Sequence, residues 1–257
     1  MAGQGAARGG AGGAGGAAPA GGAGGSGHAG GAPGTAPEVL ILLDRSSSMN
    51  ERVDGTTCPN TDCGADSKWS LVKAALEGAL PPYEDVVNWG LKLFASSNAC
   101  GVSQGVEIAP GLTNAAVIAT RLEEVTPSTS TPTTAAETAA ANYLRTLATG
   151  APKYILLITD GIPTCGVQTC APDATGQVST QCDDANAIAA VQAVRDTAGI
   201  PTMVVGVGTD LGTGTDTLQK MAVAGGLPRS SSPAYYPVQT TADLMAAIQA
   251  LTAAAGL

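Results

Sequence analysis

Val39-Leu40-Ile41-Leu42-Leu43 is an unbroken aliphatic run that stops at Asp44. A half-exposed strand or an amphipathic helix would interrupt such a run with polar residues at its own period, so a short continuous one reads as a strand buried on both faces. The form recurs at Tyr154-Ile155-Leu156-Leu157-Ile158-Thr159, stopped by Asp160, and at Thr202-Met203-Val204-Val205-Gly206-Val207-Gly208. Strands covered on both faces imply a parallel sheet between two layers of helix. The intervening segments supply the helices, with helical spacing at Lys68 to Leu80, Ala115 to Glu124, Ala135 to Leu147, Asp183 to Thr197, Thr215 to Ala224 and Ala242 to Ala254.

Val87 to Ala95 alternates Val87, Trp89, Leu91 and Leu93, and reads as a further strand with Gly105 to Ile108 as its hairpin partner. Trp69 and Phe94 read as core residues, and Tyr235-Tyr236 as a last short strand. The expected architecture is an α/β fold: a doubly wound, mostly parallel open sheet of five or six strands, one antiparallel edge strand, and helices on both faces. Ligands of such sheets sit beyond the carboxyl ends of the strands where strand order reverses, which directs attention to the residues after Leu43, Thr159 and Val207.

Residues 1–37 differ in kind. They hold 16 of the 35 glycines, no acid and nothing large to bury, so they read as a disordered Gly/Ala-rich tether ahead of a domain at 38–257. A coil of that length spans about 35 Å root-mean-square. All 21 acidic residues lie in 38–257 beside 11 of the 12 basic ones. A domain that acidic repels phosphate backbones, so nucleic acid is excluded as a partner. No stretch approaches the roughly 18 to 20 apolar residues of a membrane span. The lone histidine, His28, falls in the tether, which removes Ser-His-Asp and Cys-His mechanisms and His-ligated catalytic metals from the domain.

Cys58, Cys63, Cys100, Cys165, Cys170 and Cys182 are even in number and fall in loops. Zinc ligation is the competing use, but neither a CxxC pair nor a nearby histidine supports it. Disulfides imply an oxidising, extracytoplasmic compartment such as a bacterial envelope, surface or periplasm, and an export signal or lipid anchor upstream of Met1. Gly206-Val207-Gly208-Thr209-Asp210-Leu211-Gly212 follows a strand but lacks the glycine spacing of a dinucleotide loop.

The chemistry concentrates at the strand ends. Asp44-Arg45-Ser46-Ser47-Ser48-Met49 puts a carboxylate and alternate hydroxyls on a tight loop, Asp160-Gly161 ends a second strand, and Ser130-Thr131-Pro132-Thr133 precedes a helix. Hydroxyls with few carboxylates suit Mg²⁺, which keeps several of its waters. Each signal alone is an ordinary N-cap or turn. In this order, Asp-x-Ser-x-Ser, Thr-Pro-Thr and Thr-Asp-Gly after buried strands resemble the von Willebrand factor A-type family and its metal-ion-dependent adhesion site, over about residues 37 to 254.

The resemblance implies Ser46, Ser48 and Thr131 as metal contacts, Asp44 and Asp160 acting largely through bound water, Mg²⁺ or Mn²⁺ as the ion, and an open position filled by a carboxylate of a protein partner. Ser47 stands where the family often has glycine, and Ser128-Thr129-Ser130 replace its glycines before the threonine, so Thr129 and Thr133 stay alternatives to Thr131. Arg45 and Lys68 border the site or, as the simpler reading, are solvated charges. The resemblance also places all six cysteines around the metal face. The loop after Asp160 holds three, so full pairing sends at least one bridge out of it to another loop; the connectivity stays open, with Cys58 to Cys63, Cys100 to one of those three, and the other two together as the expected pairing. The implied function is a non-enzymatic adhesion module of the bacterial envelope type. The alternatives are a structural domain with a vestigial site and a metal-dependent phosphohydrolase. The latter would offer a second acid where Ser46 stands, and a nearby lysine.

Overall fold

The computed structural model describes residues 35–96, 100–161, 163–165, 181–209 and 214–257, the side chains at 181 and 182 excepted. Residues 1–34, on which most of the expected tether falls, lie outside them. The strands are β1 (Glu38–Asp44), β2 (Asn88–Phe94), β3 (Ile108–Gly111), β4 (Lys153–Thr159), β5 (Thr202–Val207) and β6 (Tyr236–Val238). The helices are α1 (Lys68–Ala79), α2 (Ala115–Glu123), α3 (Thr133–Thr146), α4 (Gln181–Ala198), α5 (Gly214–Gly225) and α6 (Thr241–Ala254). The sheet order is β3-β2-β1-β4-β5-β6, parallel throughout except for the antiparallel pairing of β2 with β3.

Alternation along the aliphatic runs divides the core into two layers. Val39, Ile41 and Leu43 of β1 and Leu156 and Ile158 of β4 pack with Trp69, Val72 and Leu76 of α1 and with Leu244, Ile248 and Leu251 of α6. Leu40, Leu42, Ile155 and Leu157 point the other way, onto Ala136, Ala140 and Leu144 of α3, Val191 of α4 and Met221 of α5. Every residue of β1 is buried, as a central strand with helices on both sides requires. Trp69 and Phe94 are core residues. Gly206 admits the side chains of Leu218 and Tyr235, each 2.8 Å from where its Cβ would stand. Its role is helix-to-sheet contact.

The hairpin strand differs from expectation in position. The partner of β2 is Ile108–Gly111, pairing Trp89 with Gly111 and Leu91 with Ile108. Gly105 instead gives its carbonyl to the buried ammonium of Lys92 at 2.6 Å, and Ser103 gives its own at 2.7 Å. That charge needs acceptors inside the fold, so the segment is drawn over Lys92 and the ladder begins only at Ile108.

β1 connects outward to β2, while β4 returns to the opposite side of β1, so strand order reverses between β1 and β4. The crevice at their carboxyl ends is the binding position such sheets provide.

Glu137 of α3 is 0% exposed in the second layer. Thr202 of β5 donates to its Oε1, and Oε2 has no partner. Burial pushes its carboxyl up to about 7, against 4.5 for the unperturbed group. The folded state therefore binds more protons than the unfolded chain between those two values, and stability falls as pH rises through that window. Glu137→Gln should flatten the decline and gain up to about 3 kcal/mol over the native protein above pH 8 while matching it near pH 4. Urea unfolding at several pH values measures this.

Candidate metal centre

Asp44 closes β1 with its side chain 0% exposed. Both carboxylate oxygens are held: the Ser46 N–H donates to Oδ1 at 2.7 Å, and the Thr159 hydroxyl at the end of β4 donates to Oδ2 at 2.6 Å. The first bond is the Asx-turn expected of an Asp two residues before the receiving amide. It folds the chain back at once and carries Ser46 and Ser48 over the sheet end. The loop is then pinned from the side, where the Ser47 N–H donates to the Thr129 carbonyl at 2.9 Å and the Ser128 N–H to the Arg45 carbonyl at 3.0 Å. Met49 is buried beneath the turn that follows.

The hydroxyls meet the second carboxylate here. Ser46 Oγ and Ser48 Oγ lie 3.1 Å apart, and Ser48 Oγ donates to Asp160 Oδ1 at 3.0 Å. Asp44, Ser46, Ser48 and Asp160 thus form one continuous hydrogen-bonded chain. Thr131 is held by Thr164, four residues after Asp160 in the chain, its N–H donating to Thr164 Oγ1 at 3.0 Å and its carbonyl accepting from the Thr164 N–H at 3.1 Å. The other two threonines are placed differently. Thr129 Oγ1 donates to the Arg45 carbonyl at 3.2 Å, and Thr133, 1% exposed at the start of α3, has a buried hydroxyl without a partner. A cavity of about 690 Å³ adjoins Thr131, with Pro132, Pro163 and the Cys100 and Cys165 pair in its wall.

Lys68 corrects the reading of solvated charge. It is 3% exposed, and its Nζ donates to Asp160 Oδ2 at 2.7 Å, to Glu51 Oε2 at 3.3 Å and to the Ser48 carbonyl at 3.3 Å. Arg45 is half-buried, its Nε unpartnered. A sequence signal for Lys68 existed. It is the first residue of α1, behind the N-cap Ser67, where the helix dipole disfavours a cation unless an acid compensates. In the sequence Thr159 is only the last residue of its strand run, yet its hydroxyl is a main support of Asp44.

Burial, and secondarily the charge of Asp160, push the Asp44 carboxyl up to about 7. Two electrostatically coupled buried carboxylates hold their charge poorly unless cations balance them, and Lys68 already pairs with Asp160. Two acids with serine hydroxyls are a hard, oxygen-only donor set, and they fit Mg²⁺ or Mn²⁺ better than a soft metal. Among the described residues no group of three or more His, Cys, Asp or Glu side chains is placed to hold a metal. The cysteines are used otherwise, in bridges Cys58–Cys63 and Cys100–Cys165. The second ties the segment after β2 to the loop after Asp160. Cys170 and the side chain of Cys182 lie outside the described residues, and so does their expected pairing.

Solved structures with the same arrangement decide the fold. The von Willebrand factor type A protein of Catenulispora acidiphila matches over 86% of this chain and 43% of its own, at 16% identity and a TM-score of 0.55. This is a von Willebrand factor A-type fold. The vWF domain of the type V pili tip protein Mfa5 from Porphyromonas gingivalis aligns over 88% of this chain and 97% of its own, at 15% identity and a TM-score of 0.55. The pilus adhesin SpaC of Lactobacillus rhamnosus GG aligns over 87% of this chain at 14% identity and a TM-score of 0.60, and the chain spans about a third of that structure, 31%. No protein-family model matches the sequence, and no curated protein matches it. Among the described residues no helix is long and apolar enough to cross a membrane.

The two bridges enclose chain segments of very different length, 65 residues against 5. Replacing Cys100 and Cys165 together by serine should cost about 4 kcal/mol, against about 2 for Cys58 with Cys63, by loop-closure entropy. Denaturant unfolding of the two double variants tests the order.

Proposed function

We propose that this A-type domain is an exported, non-enzymatic binding module that engages an acidic side chain of a protein partner through a divalent ion. Asp44, Ser46, Ser48, Thr131 and Asp160 are the residues that would hold it. The observation that carries the reading is the hydrogen-bonded chain from Asp44 through Ser46 and Ser48 to Asp160, at the point where strand order reverses. Mg²⁺ or Mn²⁺ bound there would supply positive charge to a carboxylate arriving from outside. The chain's own part is to present the hydroxyls on a loop pinned by Thr129 and Ser128, to keep Asp44 oriented through Thr159, and to hold Thr131 against Thr164. An acidic domain can then accept an acidic partner, because the ion reverses the local sign of the field.

The comparisons agree in kind. SpaC is described as a pilus adhesin, Mfa5 as a pili tip protein, and the Plasmodium vivax TRAP structure, 17% identical with a TM-score of 0.55, as manganese-loaded. The bridges support an extracytoplasmic, cell-surface location, and a Gly/Ala-rich tether suits a domain held away from that surface. Stiffened loops beside the site lower the ordering cost of binding.

A phosphohydrolase reading gains one feature from the structure, the lysine on Asp160. It still lacks the second acid, since Ser46 stands there. Asp44 is also enclosed, with both oxygens hydrogen-bonded, which suits a positioning group and not a nucleophile.

Titration calorimetry of the oxidised chain with Mg²⁺ and Mn²⁺ should show one site that Asp44→Ala abolishes. Absence of such binding would leave only the structural domain with a vestigial site. A metal-dependent pull-down from an envelope fraction, native against Asp44→Ala, then identifies the partner.

A further inference from the structure

We propose that Lys68 is a built-in counter-cation of this site, which competes with the divalent ion for Asp160 and keeps metal affinity below what the carboxylates and hydroxyls alone would give. The inference rests on the metal-centre reading and deepens it.

Asp160 is divided between two donors: Ser48 Oγ takes Oδ1 at 3.0 Å, and the Lys68 ammonium takes Oδ2 at 2.7 Å. The lysine also reaches the Ser48 carbonyl at 3.3 Å, so it lies directly behind the Ser48 and Asp160 pair. Its side chain is 4% exposed and that of Asp160 is 1% exposed, so water screens neither charge well. The position is unfavourable on local grounds, since the ammonium is buried at the first residue of α1, where the helix end is already positive. Asp160 and Glu51 compensate it there. With the ion absent, Lys68 balances Asp160 and lets two acids coexist at the strand ends. A divalent ion must take up a carboxylate already in use and tolerate a fixed positive charge beside it, and both effects weaken binding.

A purely structural lysine predicts the opposite sign, because its removal would loosen Asp160 and weaken the metal. Mn²⁺ calorimetry on the full oxidised chain separates the two. Lys68→Met should bind Mn²⁺ about tenfold tighter or more, and Lys68→Arg, which keeps the charge, should stay within about threefold of the native protein. Equal or weaker binding by a cooperatively folding Lys68→Met overturns the inference while leaving the metal centre intact. Native protein without Mn²⁺ binding that Asp44→Ala removes overturns the metal centre itself, and this inference with it. Should Lys68→Met not fold, Lys68→Gln, which removes the charge and keeps a polar side chain of similar reach, takes its place: tighter Mn²⁺ binding is expected, and equal or weaker binding overturns the proposal.

Discussion

A carboxylate shut away from water at the end of the central strand is the constraint around which the rest of the site is arranged. Asp44 has no solvent to share its charge, so the fold must supply donors, and it does so from two directions. The Ser46 amide comes from the chain's own turn, and the Thr159 hydroxyl from the neighbouring strand. The first bond dictates the loop that carries the serines, and the second locks β1 to β4 at the strand ends. Orientation of the hydroxyls is therefore a by-product of satisfying one buried acid.

Charge is balanced over a wider group than the residues of the proposed metal site. Asp160 lies close enough to Asp44 to raise its proton affinity, and Lys68 and Glu51 extend the network to the start of α1. A helix terminus, a strand terminus and a loop are thus coupled electrostatically in a space where the effective dielectric is low. Cys100–Cys165 and the pairing of the serine loop with Ser128 and Thr129 restrain the same region mechanically. The restraint lowers the ordering cost that the proposed binding would otherwise meet.

Most of the architecture was readable because its cause is local. Unbroken aliphatic runs permit only doubly covered strands, and the helical segments between them leave a doubly wound sheet as the economical solution. Where local pattern lost, a distant demand had won. β3 begins at Ile108, three residues after the expected start at Gly105, because Lys92 recruits the carbonyls of Ser103 and Gly105. Lys68 looked like surface charge because its three partners, Asp160, Glu51 and the Ser48 carbonyl, are 92, 17 and 20 residues away in the chain.

From the residues alone came the kind of fold, the acids that close two of its strands, and the run of hard oxygen donors on the serines beside the first, since hydrophobic period and donor chemistry are properties of single segments. Which groups share a space was settled only by folding. The meeting of Ser48 with Asp160, the occupation of the other Asp160 oxygen by Lys68, and the engagement of Thr129 with the Arg45 carbonyl depend on register between strands and on loop paths. Those follow from the packing of two helix layers against one sheet, a balance of many weak contacts that no single segment encodes.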